Sequence, residues 1–345
     1  MVWGVIALRK RIDLPGARIH PETMTSRILL AASLLLPMST VFAADPLMRI
    51  ESRDGRIFMM RGDRTILQYN MEPTADAAKN EPHFTRSGYI HPLYSPSGKT
   101  VTGDYSPDHK HQHGLFFAWT KTGFEGRDPE FWNQAQEKGR VSFQRRIPDS
   151  VFHGETECGF TVEHLWEDLK APGGPKPVLT ETWTVTAHDA GDEVFAFEIE
   201  ATQHMKGEKP LRVKKYHYGG MAIRGSNEWV AESKEATPPA AMLTSEGLNR
   251  GNGNHSRPRW VAMTGPVDGE KAGFAVIGDE RNFRAPQWVR LHPSMPYFVF
   301  APMVEEPFTI EPGTPYVSRF RYLVFDGEAD SEKIENWEKR VWGGE

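Results

Sequence analysis

Leu179-Thr180-Glu181-Thr182-Trp183-Thr184-Val185-Thr186 alternates residue by residue and is rich in β-branched and aromatic side chains. After His188-Asp189-Ala190-Gly191-Asp192, a second such run follows, Glu193-Val194-Phe195-Ala196-Phe197-Glu198-Ile199-Glu200. A period of two places one set of side chains in a core and the other in water, so the pair reads as two strands of an antiparallel sheet.

The same chemistry recurs on both sides. Arg56-Ile57-Phe58-Met59-Met60-Arg61 and Arg64-Thr65-Ile66-Leu67-Gln68-Tyr69 flank Gly62-Asp63, a hairpin signal. Leu115-Phe116-Phe117-Ala118-Trp119 reads as a buried strand. Trp260–Met263, Gly273–Ile277, Tyr297–Phe300 and Ser318–Phe325 continue the pattern, and Lys170–Pro177 reads as a loop. Short strands with Gly and Pro between them point to an all-β chain, a large antiparallel β-sandwich, with a mutarotase-like supersandwich as one form of it. Only the C-terminus has helical spacing: Ile334, Trp337 and Val341 share one face, and Asp330 or Ser331 would cap it.

At the other end, Arg27 precedes an apolar run, Ile28 to Phe42, and Val41-Phe42-Ala43 closes it with small side chains at the positions a signal peptidase reads. A spanning helix needs about 20 mostly apolar residues, so this run reads as a secretory signal over residues 1–43, with its start at Met24. Residues 44–345 are then a single exported domain, periplasmic or secreted, with no stable membrane span after cleavage. The first 43 residues carry five basic and two acidic side chains, net +3, so the remainder holds −8 of the chain's total of −5. An acidic body argues against a nucleic-acid partner. Cys158 is the only cysteine; no internal disulfide forms, and it reads as a small buried side chain.

The chemistry concentrates in Asp108-His109-Lys110-His111-Gln112-His113-Gly114. On a regular strand His109, His111 and His113 would face one way. The outer two would stand roughly 13 Å apart, too far to share one ion bound at about 2.0–2.2 Å. Two of the three with groups from elsewhere would suit one divalent metal, and an array without metal would suit acid–base work. Asp108 would orient one imidazole. Lys215-Tyr216-His217-Tyr218-Gly219-Gly220-Met221-Ala222-Ile223-Arg224 adds His217 and Arg224, and its glycines would admit close backbone approach. His91, Asp279, Asn282 and Trp288 are further candidates for holding substrate. Indole faces, Trp119, Trp132, Trp229, Trp260 and Trp288 among them, suit stacking on a sugar ring. For a carboxylate partner the candidates are Glu181, Glu305 and Asp279.

Tyr89-Ile90-His91-Pro92-Leu93-Tyr94-Ser95-Pro96-Ser97-Gly98 and then Pro107 through Trp119 resemble the bacterial family labelled methane oxygenase PmoA-like. Gly219–Arg224, Asp279–Trp288 and Arg319–Gly327 follow in the family's order. The family has no assigned function, and its label does not imply the membrane monooxygenase chemistry that it names. Its members often accompany sugar-catabolic enzymes, which implies carbohydrate processing by association. Family sequences commonly carry Asp-His-Pro where this chain has Asp279-Glu280-Arg281, which shifts weight to His109, His111, His113 and His217. The layout is also similar to that of sugar mutarotases and their lyase relatives, in which a β-sandwich presents histidines and a carboxylate. The expectation is a carbohydrate-active enzyme of epimerase, lyase or hydrolase type, with His111, His113 and His217 catalytic and His109, His111 and His113 as metal ligands. The alternative is a non-catalytic periplasmic protein that binds a glycan or a metal.

Overall fold

The alternation of Leu179–Thr186 is realised in a computed structural model that describes residue 16 and residues 45–74, 81–233 and 236–343. Apart from residue 16, the signal segment lies outside the described residues. Trp183 and Val185 are fully buried while Thr184 faces water, and Asp45–Glu345 makes one compact unit.

Two eight-stranded antiparallel sheets carry the unit. The first runs β1 (Met48–Arg53), β2 (Arg56–Arg61), β3 (Arg64–Asn70), β4 (Tyr89–Leu93), β7 (Leu115–Ala118), β14 (Gly220–Arg224), β19 (Tyr297–Phe300) and β18 (Val289–Leu291). The second runs β15 (Ala241–Thr244), β16 (Trp260–Val267), β17 (Glu270–Gly278), β21 (Tyr316–Asp326), β12 (Val194–Met205), β11 (Lys176–His188), β10 (Glu157–Asp168) and β9 (Gly139–Arg146). A small sheet of β20 (Phe308–Ile310), β13 (Leu211–Val213) and β8 (Thr122–Gly123) lies beside them. The hairpin of β5 (Asp104–Ser106) and β6 (His109–His113) completes the set.

The inner faces meet in an aromatic core. Phe117 packs on Trp166 with ring centroids 6.2 Å apart, and Phe300 on Phe320 at 5.2 Å. One polar chain crosses that core. The Tyr69 hydroxyl lies 2.6 Å from His164 Nε2, His164 Nδ1 lies 3.0 Å from Glu181, and Glu181 accepts from Gln203 at 2.8 Å. Each partner satisfies the next, which is what lets a carboxylate sit in an apolar interior.

The C-terminal helix α1 (Ser331–Trp342) forms as its spacing predicts. The Asp330 carboxylate accepts from the Lys333 N–H at 2.9 Å, and Ile334 is buried against the outer face of the second sheet, with Trp337 and Val341 partly buried beside it. No described helix is long and apolar enough to cross a membrane. Cys158 is buried, and that burial pushes its thiol up to about 12.

Candidate functional site

Register decides which side chains share the outer face of the first sheet. Arg224 on β14 lies opposite Tyr297 on β19, Ala222 lies opposite Val299 and Phe116, and Arg290 on β18 lies opposite Val299. Directly opposed residues point the same way, so Phe116, Arg224, Tyr297 and Arg290 share one face while Phe117, Phe298 and Phe300 turn inward to the core. On β4, Tyr89 and His91 flank the inward-facing Ile90 and point outward with them.

The β5–β6 hairpin folds over this face. Ser106 pairs with His109 and Asp104 with His113, so two steps on β5 oppose four on β6. That bulge breaks the alternation expected for the three histidines. His113 is 1% exposed: its Nδ1 lies 2.7 Å from Asp104 and its Nε2 lies 3.1 Å from Gln134 Oε1. Tyr89 donates to the other Asp104 oxygen at 2.8 Å, and His91 Nδ1 lies 3.0 Å from the Thr102 hydroxyl. His113, Asp104 and Tyr89 therefore form a sealed layer under the hairpin, with the half-buried His91 beside them. With both ring nitrogens engaged and the ring out of solvent, His113 serves architecture here, while His91 has its Nδ1 turned to Thr102.

His109 and His111 belong to the open layer, with ring centroids 5.4 Å apart. The hairpin is fastened by Arg224, which is fully buried. It donates to Asp108 at 2.5 Å and to Gln112 at 2.8 Å. Asp108 lies 3.6 Å from His109 Nδ1, and its carboxyl is held down at about 2: burial pushes it up, but His109 and Arg224 outweigh that. Burial first, then the neighbouring His109, His113 and Arg224, lower His111 to about 4. It is a neutral imidazole at pH 7.

From the other side come residues that spacing did not reveal. His292 follows β18, stacks near Tyr297 at 5.1 Å, and its Nδ1 accepts the Met295 N–H at 2.9 Å. That bond fixes Nδ1 as the acceptor and leaves Nε2–H as a donor. Burial, with the charges of Arg290 and His109 behind it, drives His292 to about 3. Tyr297 is buried, which pushes its phenol up to about 12 despite the opposing pull of Arg290. Trp132 touches Phe116, Tyr218 and Tyr297 at 4.9, 5.0 and 6.2 Å, and Asn133 donates to the Tyr218 hydroxyl at 3.3 Å. His217, packed between Tyr216 and Tyr218, is lowered by burial and then by Arg290 and His255. The site thus gathers His109, His111, His217, His292, Arg224, Arg290 and Tyr297 from five segments. The chemical signal for the missed ones was modest: Arg290-Leu291-His292 puts two polar side chains either side of an inward leucine.

Five other candidates fall elsewhere. Asp279 follows β17 and is clamped by Arg281 at 2.7 Å, while Asn282 clips the Arg319 backbone through two bonds of 2.7 Å. Both belong to the second sheet, whose outer face is on the opposite side of the sandwich. Glu181 is sealed in the core, and Glu305 lies exposed in a loop. Trp288 precedes β18 and is capped by the Arg257 guanidinium at 4.2 Å, which occupies one indole face.

No group of three or more His, Cys, Asp or Glu side chains among the described residues is arranged to hold a metal ion. The expected set of His109, His111 and His113 fails because the bulge sends His113 into the sealed layer. Size and chemistry also part company. Cavities of ≈ 490 and ≈ 640 Å³ lie on the second sheet and share Asp279, Arg281 and Arg321. The first is a bed of paired charges, Arg319 with Glu200 at 2.8 Å among them, and ion-pair ladders are an ordinary outer face for a sheet.

The Gly219-Gly220 pair has a packing role. Gly220 has φ +123°, and a Cβ there would stand 2.4 Å from the Phe300 carbonyl oxygen. The glycine lets β14 start against β19.

A crystal structure of a heparan sulfate lyase HepC mutant from Pedobacter heparinus is similar at 8% sequence identity and a TM-score of 0.36. The likeness covers 82% of this chain but only 37% of that one. Among curated proteins there is no match. A family model matches residues 56–338, every strand but β1 and most of α1 included, and the chain belongs to the family described as "Family of unknown function (DUF6807)".

Proposed function

We propose that this protein is an exported carbohydrate-active enzyme whose histidine cluster performs acid–base chemistry on a sugar, of the epimerase, lyase or hydrolase kind. What supports the reading is that the hairpin bearing a neutral His111 folds over the face where an N–H-fixed His292 packs against a protonated Tyr297.

In this reading His111 takes a proton from a ring carbon or a hydroxyl, because a neutral imidazole has a lone pair to offer. Tyr297 gives a proton to the leaving or developing oxygen, since a phenol with a raised pKa remains protonated. His292 Nε2–H and the arginines stabilise negative charge as it develops. Tyr216 and Tyr218 give the sugar ring aromatic edges and faces to lie against. His217 supplies a further polar contact on the ring. The divalent-metal version would recruit His109 and His111 with a ligand from the substrate itself, so the steps above are written on side chains alone. Export rests on residues 24–43. The resemblance to the PmoA-like family agrees with sugar processing and adds no chemistry.

The test is turnover of a panel of glycosides and glycuronides by the wild type and His111→Ala. Loss of at least about 100-fold in kcat supports a base at this position. Unchanged turnover would overturn it.

A further inference from the structure

The site has more positive charge than its own carboxylates answer. Arg224 is fully buried, and Asp108 and Gln112 take its two terminal nitrogens, yet its Nε is buried with no hydrogen-bond partner. Arg290 forms no ion pair among the described residues, and its Nε is likewise buried without a partner. Register places the two on one face, either side of Tyr297. Burying guanidinium donors unmet costs free energy that a ligand oxygen would recover. After burial itself, Arg290 is the next cause that lowers both His217 and His292. Neutral imidazoles leave the site's charge to the arginines.

We infer that the sugar taken here is anionic, with a carboxylate or sulfate group received by Arg290 beside Tyr297, within the field of the buried Arg224. The inference rests on the acid–base sugar site proposed above and names its substrate class. A planar guanidinium fork suits both oxyanions. Asp108, already committed to Arg224, does not compete for Arg290.

Calorimetric titration of the full chain with D-glucuronate, D-glucose 6-sulfate and D-glucose tests it, with the wild type, Arg290→Gln and Arg290→Lys. At least one anion should bind about tenfold or more tightly than glucose, the scale of one charge-assisted hydrogen bond. Whichever anion gains identifies the group as carboxylate or sulfate. R290Q should bring that anion to the level of glucose, and R290K, which keeps the charge, should retain part of the preference. Added salt should weaken the anion alone. Equal binding of all three sugars would overturn the anion while leaving the sugar site standing. A preference undiminished in R290Q would overturn the role of Arg290, and binding of none would remove both readings.

Discussion

Arg224 and Asp108 meet at 2.5 Å, the guanidinium wholly buried and the carboxylate about one-quarter exposed. Through that contact β14 holds down the hairpin that bears His109 and His111. Asp108→Asn would leave Arg224 buried against a neutral amide, and stranding one partner of a buried pair costs on the order of 3 kcal/mol. Urea denaturation should show this loss. The lost Asp108 charge by itself lowers His111, but loosening the hairpin relieves the burial that is the larger cause, so His111 should move toward an ordinary imidazole pKa, as a histidine proton titration by NMR would read. A D108N protein with wild-type stability would show that Gln112 alone suffices.

His111 gives a prediction about pH. A base held down to about 4 remains deprotonated well below the range where a free histidine would fail. The acid limb of kcat/KM should therefore fall near pH 4. An inflection near 6.5 would assign the base to a different imidazole. Stability follows from the same shift. The unfolded chain takes up this proton near 6.5 and the folded chain only near 4, so the contribution is whole above 6.5 and is lost between those values, at about 1.4 kcal/mol per pH unit. His292 acts in the same direction. His111→Gln should flatten the slope measured by urea denaturation between pH 6 and 4.5.

Asp104 governs a lower pH window. Its burial alone would raise the carboxyl, but the hydrogen bond and charge of His113, with help from His91 and Tyr89, hold it below the usual range. The pair stabilises the fold fully above the unfolded value of about 3.9 and ceases to do so as pH falls through the lower, folded value. Asp104→Asn should cost on the order of 3 kcal/mol at pH 7, and it should remove that part of the acid limb below about pH 4. Thermal unfolding across pH 2 to 7 would read both. A variant whose acid limb matches the wild type would mean that Asp104 is not the titrating group.

What was legible in the sequence was whatever a local period can express. Alternation in Leu179–Thr186 marked a strand, and read strictly it also pointed Glu181 inward with Trp183, toward the core where it sits. The Gly62-Asp63 turn and the Asp330 cap are likewise short-range events. The site is not. Arg224, Tyr297 and Arg290 come together only because β14, β19 and β18 pair across some 70 residues of chain, and no window along the sequence contains that pairing. The bulge opposite Asp104 hid the division between His113 and His111, since i, i+2 spacing holds only on a regular ladder. Asp279 and Asn282 seemed eligible because a loop after a strand does not announce which sheet the strand joins.

Gly220 separates two explanations of the glycine pair. If the pair existed to admit a ligand, Gly220→Ala would weaken binding and leave the fold alone. The geometry gives the opposite ordering: φ is +123° and the new Cβ would press to 2.4 Å from the Phe300 carbonyl oxygen, a backbone atom that cannot rotate aside. Strain of this kind exceeds the usual 0.4–1 kcal/mol effect of a Gly-to-Ala exchange, and a loss of at least about 2 kcal/mol is expected by urea denaturation. Because β14 carries Arg224 four residues on, the anchor of the His111 hairpin should shift with it, so that His111 loses part of its depressed pKa. A G220A protein of unchanged stability, with only ligand affinity lowered, would return the glycine pair to the binding site.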